Sequence, residues 1–173
     1  MSKSRVLLLL ILILPLFAHT AFGQGFPWDD FKRRTLKEIV NIDAKEIEDS
    51  VRENRVIFHA DTLLSVIKVK YTGKSRPLSE VKKDFLKKWA QTFSQSADEY
   101  AAHYERDYLF TEGDIEYWLP VQKQVSAYFP KELKEGEEVD IYIVRAGGVC
   151  RKKVCDWLFL VEEFQKPKVS SPE

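Results

Sequence analysis

Histidines and carboxylates are the residues of this chain whose types and spacing could support chemistry. His59 and Asp61 stand two positions apart, so a strand would present both on one face. Glu99, His103 and Asp107 follow one another at intervals of four, so a helix would align them along one stripe. Such a set could bind a divalent metal or provide a hydrolase with a general acid and base. The competing interpretation is an ordinary charged helix face, because pairs at this spacing are common.

The two cysteines predict a disulfide. Cys150 and Cys155 enclose four residues, a spacing that lets their side chains meet across a hairpin loop. This is not the two-residue spacing of redox dithiols, and a zinc site would need further thiolates or histidines nearby. A pair of free thiols is the alternative.

Motifs for nucleotides and cofactors are not found. Gly73-Lys74-Ser75 resembles the end of a phosphate-binding loop, but that motif requires a glycine where Lys68 stands. Pro77 also disfavours a helix opening directly after the loop. A Gly-x-Ser-x-Gly nucleophile elbow is missing from the sequence as well. No cofactor or bound metal is therefore predicted.

Aromatic residues, which make up 13% of the chain, offer a binding surface. The candidates lie in and beside the predicted C-terminal strands: Tyr117, Trp118, Tyr128 and Tyr142. They could line a groove for an apolar ligand or a partner peptide. Aromatic residues at such positions are more often part of a core.

Strands are predicted where β-branched and aromatic residues cluster between turn residues. The predicted runs are 56–60, 66–71, 115–121 with a continuation over 122–129, 139–144 and 157–161. Asp61-Thr62 and residues 72–77 are predicted turns. The run 157–161 is apolar on both alternations, so it predicts a strand covered on both faces. Trp157, Phe159, Ile141 and Ile143 are expected to be almost fully buried.

Helices are predicted where capping residues precede apolar residues at helical spacing. Capping boxes stand at Thr35-x-x-Glu38 and Ser96-x-x-Glu99, and Ser79 can cap a helix between them. That middle helix would bury a stripe of residues four apart: Val81, Phe85, Trp89 and Phe93. Its lysines, Lys82, Lys83, Lys87 and Lys88, are expected to face solvent. The helix after Ser96 is expected to reach Tyr108, and a further helical piece is expected to end near residue 54. Aromatic residues within 24–34 should hold an N-terminal arm against the fold.

These elements predict an α+β fold, in which N-terminal and middle helices cover a bent antiparallel sheet. A small barrel of OB or SH3 type is one arrangement of such a sheet. We expect one such domain over residues 24–166 and a polar tail over 167–173.

The N-terminus has the pattern of a secretory signal. Lys3 and Arg5 precede an apolar run over residues 6–17, and Ala21-Phe22-Gly23 then predicts cleavage before Gln24. Residues 1–23 are therefore expected to be removed, and an uncleaved anchor is disfavoured by the short run. The mature chain should be periplasmic or extracellular, with membrane contact only before cleavage.

Charge and composition restrict the classes of function that the sequence supports. The 27 basic and 27 acidic residues balance, which disfavours nucleic acid as a partner. The sequence favours an exported, non-catalytic binding or interaction domain of the bacterial cell envelope, whose partner is a protein or a small apolar ligand. The alternative is a small secreted hydrolase or metal-dependent enzyme that uses His59, Asp61, Glu99 and His103.

Overall fold

The computed structural model describes residues 26–42, 48–49, 52–53, 55–93, 96–151 and 154–167. The predicted signal segment 1–23 lies outside these residues. So do residues 168–173 of the predicted tail and most of the helical piece predicted before residue 54.

Six strands account for most of the described residues. They are β1 (Lys32–Arg33), β2 (Val56–Pro77), β3 (Tyr104–Glu112), β4 (Ile115–Gln122), β5 (Glu138–Arg151) and β6 (Val154–Gln165). The helices are α1 (Leu36–Ile42), α2 (Glu80–Ala90), α3 (Ala97–Ala102), α4 (Lys123–Ser126) and α5 (Phe129–Glu132), and a 3-10 turn spans Trp28–Asp30. The predicted α+β class is confirmed.

The strands are paired in the order β1-β2-β3-β4-β6-β5, and β2 pairs with β5 as well. Most pairs are antiparallel, as predicted. Two are parallel: β1 with β2, and β4 with β6 through the single pair Val121↔Val161. Residues that follow Val121 and Val161 are thereby brought together although they lie far apart in sequence.

Strand β2 is one long strand where two strands and two turns are predicted. Its register shifts between Phe58 and Leu63 against β5, and between Tyr71 and Ser75 against β3. Gly73 lies in the second irregularity with a φ of 75°. An irregularity of this kind accommodates extra residues and bends a strand without reversing it. The predicted turns at Asp61-Thr62 and at residues 72–77 are therefore wrong.

Two helix starts agree with the capping patterns. The Thr35 N–H donates to Glu38 Oε2 at 2.7 Å, and the Glu38 N–H donates to Thr35 Oγ1 at 3.0 Å, which confirms the capping box. Ser79 Oγ accepts from the Lys82 N–H at the start of α2.

Two further predictions of element type are wrong. Helix α3 ends at Ala102 and Tyr104 begins β3, so Glu99, His103 and Asp107 do not share a helical stripe. In the segment 122–129, Gln122 ends β4, and the residues after it form α4 and the start of α5 instead of continuing a strand. In the first case, pairing of β3 with β2 and β4 outweighs the helical pattern. In the second, Val125 and Phe129 lie four residues apart and are both buried in the core.

The core lies on both faces of β6. Phe159 and Val161 pack into the larger cluster with Ile141 and Ile143, while Leu158 and Leu160 pack against residues of α2 on the other side. The doubly covered strand is thus confirmed. Phe159, Ile141 and Ile143 are at most 1% exposed, as predicted. Trp157 is only partly buried, stacked on Phe159, so that part of the prediction is wrong.

Within the described part of the chain, helices long and apolar enough to cross a membrane are not found.

Candidate ligand-binding site

A cavity of about 450 Å³, here called the arm cavity, lies beneath the N-terminal arm of residues 26–31. Helices α2 and α3 and strands β2, β5 and β6 form its other walls. Its lining residues are Phe26, Pro27, Phe31, Leu64, Trp89, Ala90, Phe93, Tyr100, Val144 and Glu162. All are apolar or aromatic except Glu162, so the site combines apolar walls with one acidic group.

The helical wall follows from the spacing of aromatic residues on and after α2. Trp89 and Phe93 lie four residues apart, and their ring centroids are 4.9 Å apart. Trp89 is 4% exposed, and its Nε1–H donates to the His59 carbonyl oxygen at 2.8 Å, which holds the indole in one orientation. Phe93 is 48% exposed and forms the outer part of this wall. The predicted stripe is therefore buried only at Phe85 and Trp89.

The arm is held by aromatic contacts, as the sequence predicts. Phe26 and Phe31 stack with their ring centroids 5.1 Å apart. Both meet the edge of Tyr142 on β5, at 5.5 and 5.3 Å, and Trp28 meets the same ring at 4.7 Å. Tyr142 thus anchors the arm, which lines the cavity through Phe26, Pro27 and Phe31.

A carboxyl group with three donors forms the polar end of the cavity. Glu162 Oε1 accepts from the Tyr100 hydroxyl at 3.0 Å and from the Tyr104 hydroxyl, and Glu162 Oε2 accepts from Gln122 Nε2. Gln122 and Glu162 follow directly after Val121 and Val161, the one pair that joins β4 to β6. The crossing of these two strands therefore assembles the carboxyl site.

Burial changes the pKa of the Glu162 carboxyl group. Loss of hydration raises the pKa of Glu162, while the hydrogen bonds from Tyr104, Tyr100 and Gln122 and the nearby His103 oppose the rise. Burial, together with the charge of Glu162, raises the pKa of Tyr104 and of Tyr100 well above the ordinary phenol value. Both phenols therefore keep their protons at neutral pH and act as hydrogen-bond donors.

A second concavity of about 340 Å³ lies between β4 and the start of β6. We call it the Trp118 groove. Its lining residues are Arg76, Glu116, Tyr117, Trp118, Leu119, Val154, Cys155, Asp156 and Trp157. The Arg76 guanidinium lies 4.4 Å from the centroid of the Trp118 ring, a cation–π contact. Arg76 already covers this ring, so less of its face is open to a ligand.

A buried ion pair stands behind the groove. Lys82 Nζ lies 3.1 Å from both carboxylate oxygens of Asp107, and both side chains are 1% exposed. The same amine contacts Asp156 at 2.8 Å and donates to the Trp118 carbonyl oxygen at 3.1 Å. Burial raises the pKa of Asp107, and the charges of Lys82 and Arg76 oppose the rise. The prediction that Lys82 faces solvent is wrong, because a carboxylate from β3 meets it inside the fold.

The four predicted ligand-binding aromatics lie in three places. Tyr117 and Trp118 both line the Trp118 groove, although Tyr117 is 8% exposed and packs mainly in the core. Tyr142 anchors the arm, and Tyr128 is 53% exposed between α4 and α5. They do not form one surface.

The predicted catalytic or metal-binding residues lie on β2, on α3 and just after α3. His59 is 8% exposed on β2, and the side chain of Asp61 lies outside the described part of the chain. His103 is exposed after α3, with its ring 6.4 Å from that of Tyr100, and Glu99 is exposed on α3. Among the described side chains, groups of three or more His, Cys, Asp or Glu residues placed to hold a metal are not found. The enzyme alternative stays a prediction.

The predicted disulfide is confirmed. Cys150 and Cys155 are partners in the β5–β6 ladder, with Cα atoms 4.0 Å apart, and their sulfurs are bonded. The Cys150 N–H donates to the Arg55 carbonyl oxygen on the opposite side of β5. The bond closes the β5–β6 hairpin beside the Trp118 groove.

The carboxyl site of the arm cavity has no counterpart among the residues predicted from the sequence. Its members come from α3, β3, β4 and β6, so no local motif joins them. One signal was available: Glu162 directly continues the apolar run of the doubly covered strand, and a charged residue there requires partners when it is buried.

A search against models of known protein families finds no family that matches this chain. A search of curated proteins finds no similar sequence. The function must therefore be inferred from the geometry of the site.

Proposed function

We propose that this protein is an exported, non-catalytic binding domain that holds a small, largely apolar ligand in the arm cavity. The observation that carries the proposal is the cavity itself: about 450 Å³, walled by aromatic and aliphatic side chains around one carboxyl group. Small-molecule sites typically enclose about 300–1,000 Å³, with mostly apolar walls and a few convergent polar groups. The arm cavity has both properties.

The polar end of the cavity favours recognition over catalysis. Tyr100, Tyr104 and Gln122 all donate to Glu162, so the carboxyl is held in one position. Because their pKa values are raised, the two phenols stay protonated at neutral pH and are not available as general bases. These groups are suited to orient a ligand.

Export is supported by two independent features. The Cys150–Cys155 disulfide is the state expected of a cysteine pair in an oxidising compartment. The basic and apolar pattern of residues 1–23 is that of a secretory signal.

We further infer that the sheet is a small, partly open barrel of OB type. Strands β2, β3, β4, β6 and β5 form a ring of pairings, because β2 pairs with both β3 and β5. The single pair between β4 and β6 is the weak side of this ring. Five strands in this order, with one open side, are a feature of OB folds. An experimental structure in which β2 lacks one of its two partners would contradict the inference.

Binding of a neutral fluorescent probe tests the proposed function. N-phenyl-1-naphthylamine, which brightens in apolar sites, should bind the purified protein with a saturable signal. Phe93→Ala removes part of the cavity wall and should weaken binding about five-fold, because an aromatic contact contributes about 1 kcal/mol. Phe58→Ala is the matched control: Phe58 is 41% exposed and contacts Phe85, but it does not line the cavity.

Saturable binding that weakens in Phe93→Ala and persists in Phe58→Ala would support the proposal. Absent or unsaturable binding by the folded protein would overturn it. Equal losses in the two variants would place the probe elsewhere, which also contradicts the proposal.

A further inference from the structure

We propose that the ligand of the arm cavity is an organic cation: an alkylated or protonated amine with an apolar body. This proposal rests on the proposed function and adds the chemical class of the ligand. Its ground is that aromatic rings and one carboxylate line the same cavity, and that the Tyr100 hydroxyl contacts this carboxylate.

Five of the lining residues are aromatic: Phe26, Phe31, Trp89, Phe93 and Tyr100. The face of an aromatic ring carries negative potential, and rings grouped around a pocket are a known means of binding alkylammonium groups. The Trp89 ring centroid lies 6.0 Å from that of Tyr100 and 4.9 Å from that of Phe93. The helical wall therefore offers several rings to one bound cation.

Tyr100 joins these rings to the acidic group. Its hydroxyl donates to Glu162 at 3.0 Å, and its ring lines the cavity with Trp89. A cation that contacts the Tyr100 ring would therefore lie close to the Glu162 carboxylate. Attraction between the two charges is strong where little water separates them.

The donors around Glu162 suit the ionised form of the carboxyl. The amide nitrogen of Gln122 acts as a hydrogen-bond donor and not as an acceptor, and it donates to Oε2. The hydroxyls of Tyr100 and Tyr104 both reach Oε1. These donors hold the anion but bring no positive charge. The cavity lining itself contains one charged residue, Glu162, and no basic residue among those described.

Two lysines of α2 have carboxylate partners of their own. Lys82 pairs with Asp107 and Asp156, and Lys87 pairs with Asp98 at 2.8 Å. His103, exposed after α3, acts on Glu162 electrostatically. A bound cation would provide the carboxylate with a direct partner that these residues do not provide.

The volume of the cavity indicates that the ligand has an apolar body as well as a charged head group. A cavity of about 450 Å³ exceeds what a simple ammonium group fills, and Leu64, Ala90 and Val144 line the rest of it. The site therefore fits an amphiphilic cation, with its head at Glu162 and its body against the aliphatic wall.

Three ligands with the same chain and different head groups test the proposal: octyltrimethylammonium, octanol and octanoate. Isothermal titration calorimetry of the purified protein should rank the cation first. Glu162→Gln should weaken binding of the cation about ten-fold or more, because it removes the opposite charge. The same change should alter binding of octanol less than about two-fold, since a neutral head forms no ion pair. Glu163→Gln, the same substitution at the next residue of β6, is the matched control and should leave the ranking unchanged.

The outcomes separate this proposal from the proposed function. Octanol or octanoate binding as tightly as the cation would overturn the cation assignment and leave an apolar binding site in place. Failure of all three ligands to bind the folded protein would overturn both. Equal losses in Glu162→Gln and Glu163→Gln would show that the cation binds outside the cavity. The ranking of the three ligands by the wild-type protein tests the proposal even if Glu162→Gln does not fold.

Discussion

At the scale of single residues, Glu162 links stability to pH. Its raised pKa means that the folded state binds its proton more tightly than the unfolded state does. The stabilisation is fully present below the ordinary glutamate value of 4.5 and is lost as the pH rises through the higher pKa of the folded state. The groups that face this carboxyl are Tyr100, Tyr104, Gln122 and His103.

We therefore expect Glu162→Gln to flatten the pH dependence of the melting temperature. The contribution of Glu162 to the melting temperature should fall as the pH rises above 4.5, and the variant should lack this contribution. Burial also raises the pKa of Asp107, so some dependence should remain in both proteins. Thermal unfolding across this range measures the two slopes. Parallel profiles would show that Glu162 does not contribute.

Lys82 and Lys83 are adjacent in sequence but differ in their surroundings. Lys82 is 1% exposed against Asp107, whereas Lys83 is 47% exposed and pairs with Glu80. Lys82→Met should lower the free energy of unfolding by about 3 kcal/mol, because it leaves a buried carboxylate with less compensation. Lys83→Met should change it by less than about 1 kcal/mol, as is typical of surface pairs.

Urea denaturation compares the two lysine variants directly. The loss of stability expected for Lys82→Met is at the low end of the range for buried ion pairs. The reason is that Arg76, which contacts Asp107 at 3.1 Å, would remain as a partner. Similar small losses in both variants would contradict a buried role for Lys82.

At the scale of elements, β5 depends on close approach to β2. Gly147 has a φ of 143°, and a Cβ there would lie 2.1 Å from the Ile57 carbonyl oxygen. That oxygen belongs to the backbone of β2, so it cannot move away without disturbing the pairing of the two strands. The register of β5 against β6 shifts between Arg145 and Gly147, which is an irregularity inside a continuous strand.

Gly147→Ala should therefore lower the free energy of unfolding by about 3 kcal/mol or more, from strain and overpacking. Gly113→Ala is the control, since Gly113 also has a positive φ, 59°, but a Cβ there meets nothing within 4 Å. Its loss should be only about 1–2 kcal/mol, the conformational cost of a side chain in this region. Chemical denaturation of both variants checks the difference. Equal losses would indicate that contact with Ile57 is not limiting.

At the scale of the whole molecule, the proposed export of the protein would account for its disulfide. A signal peptide would deliver the chain to a compartment in which Cys150 and Cys155 can oxidise. We expect the protein recovered from the exported fraction to begin at Gln24 and to contain no free thiol. Intact mass spectrometry, with alkylation before and after reduction, tests both features. Full-length protein found only in the membrane fraction would contradict cleavage.

Local patterns along the chain were enough for several features. The capping box at Thr35, the cap at Ser79, the doubly covered run 157–161 and the disulfide all rest on residues that are close in sequence. Capping bonds and hairpin closure are short-range, so their physical cause is visible in the sequence. The packing of the aromatic arm could be predicted for a related reason. Burial of exposed aromatic rings against any nearby apolar surface is favourable.

Contacts between segments that are distant in sequence determine the other features of the fold and of the site. Tyr104 begins a strand because it pairs with Gln122 of β4, and β2 pairs with the residues from Arg106 onward, although the residues before Tyr104 favour a helix. Lys82 is buried because Asp107 reaches it from β3, and Glu162 meets Gln122 because β4 and β6 join at one pair. Pairing and burial of charge depend on which strands become neighbours, and that arrangement is not encoded in any single stretch of sequence. The arm cavity is therefore a property of the folded chain.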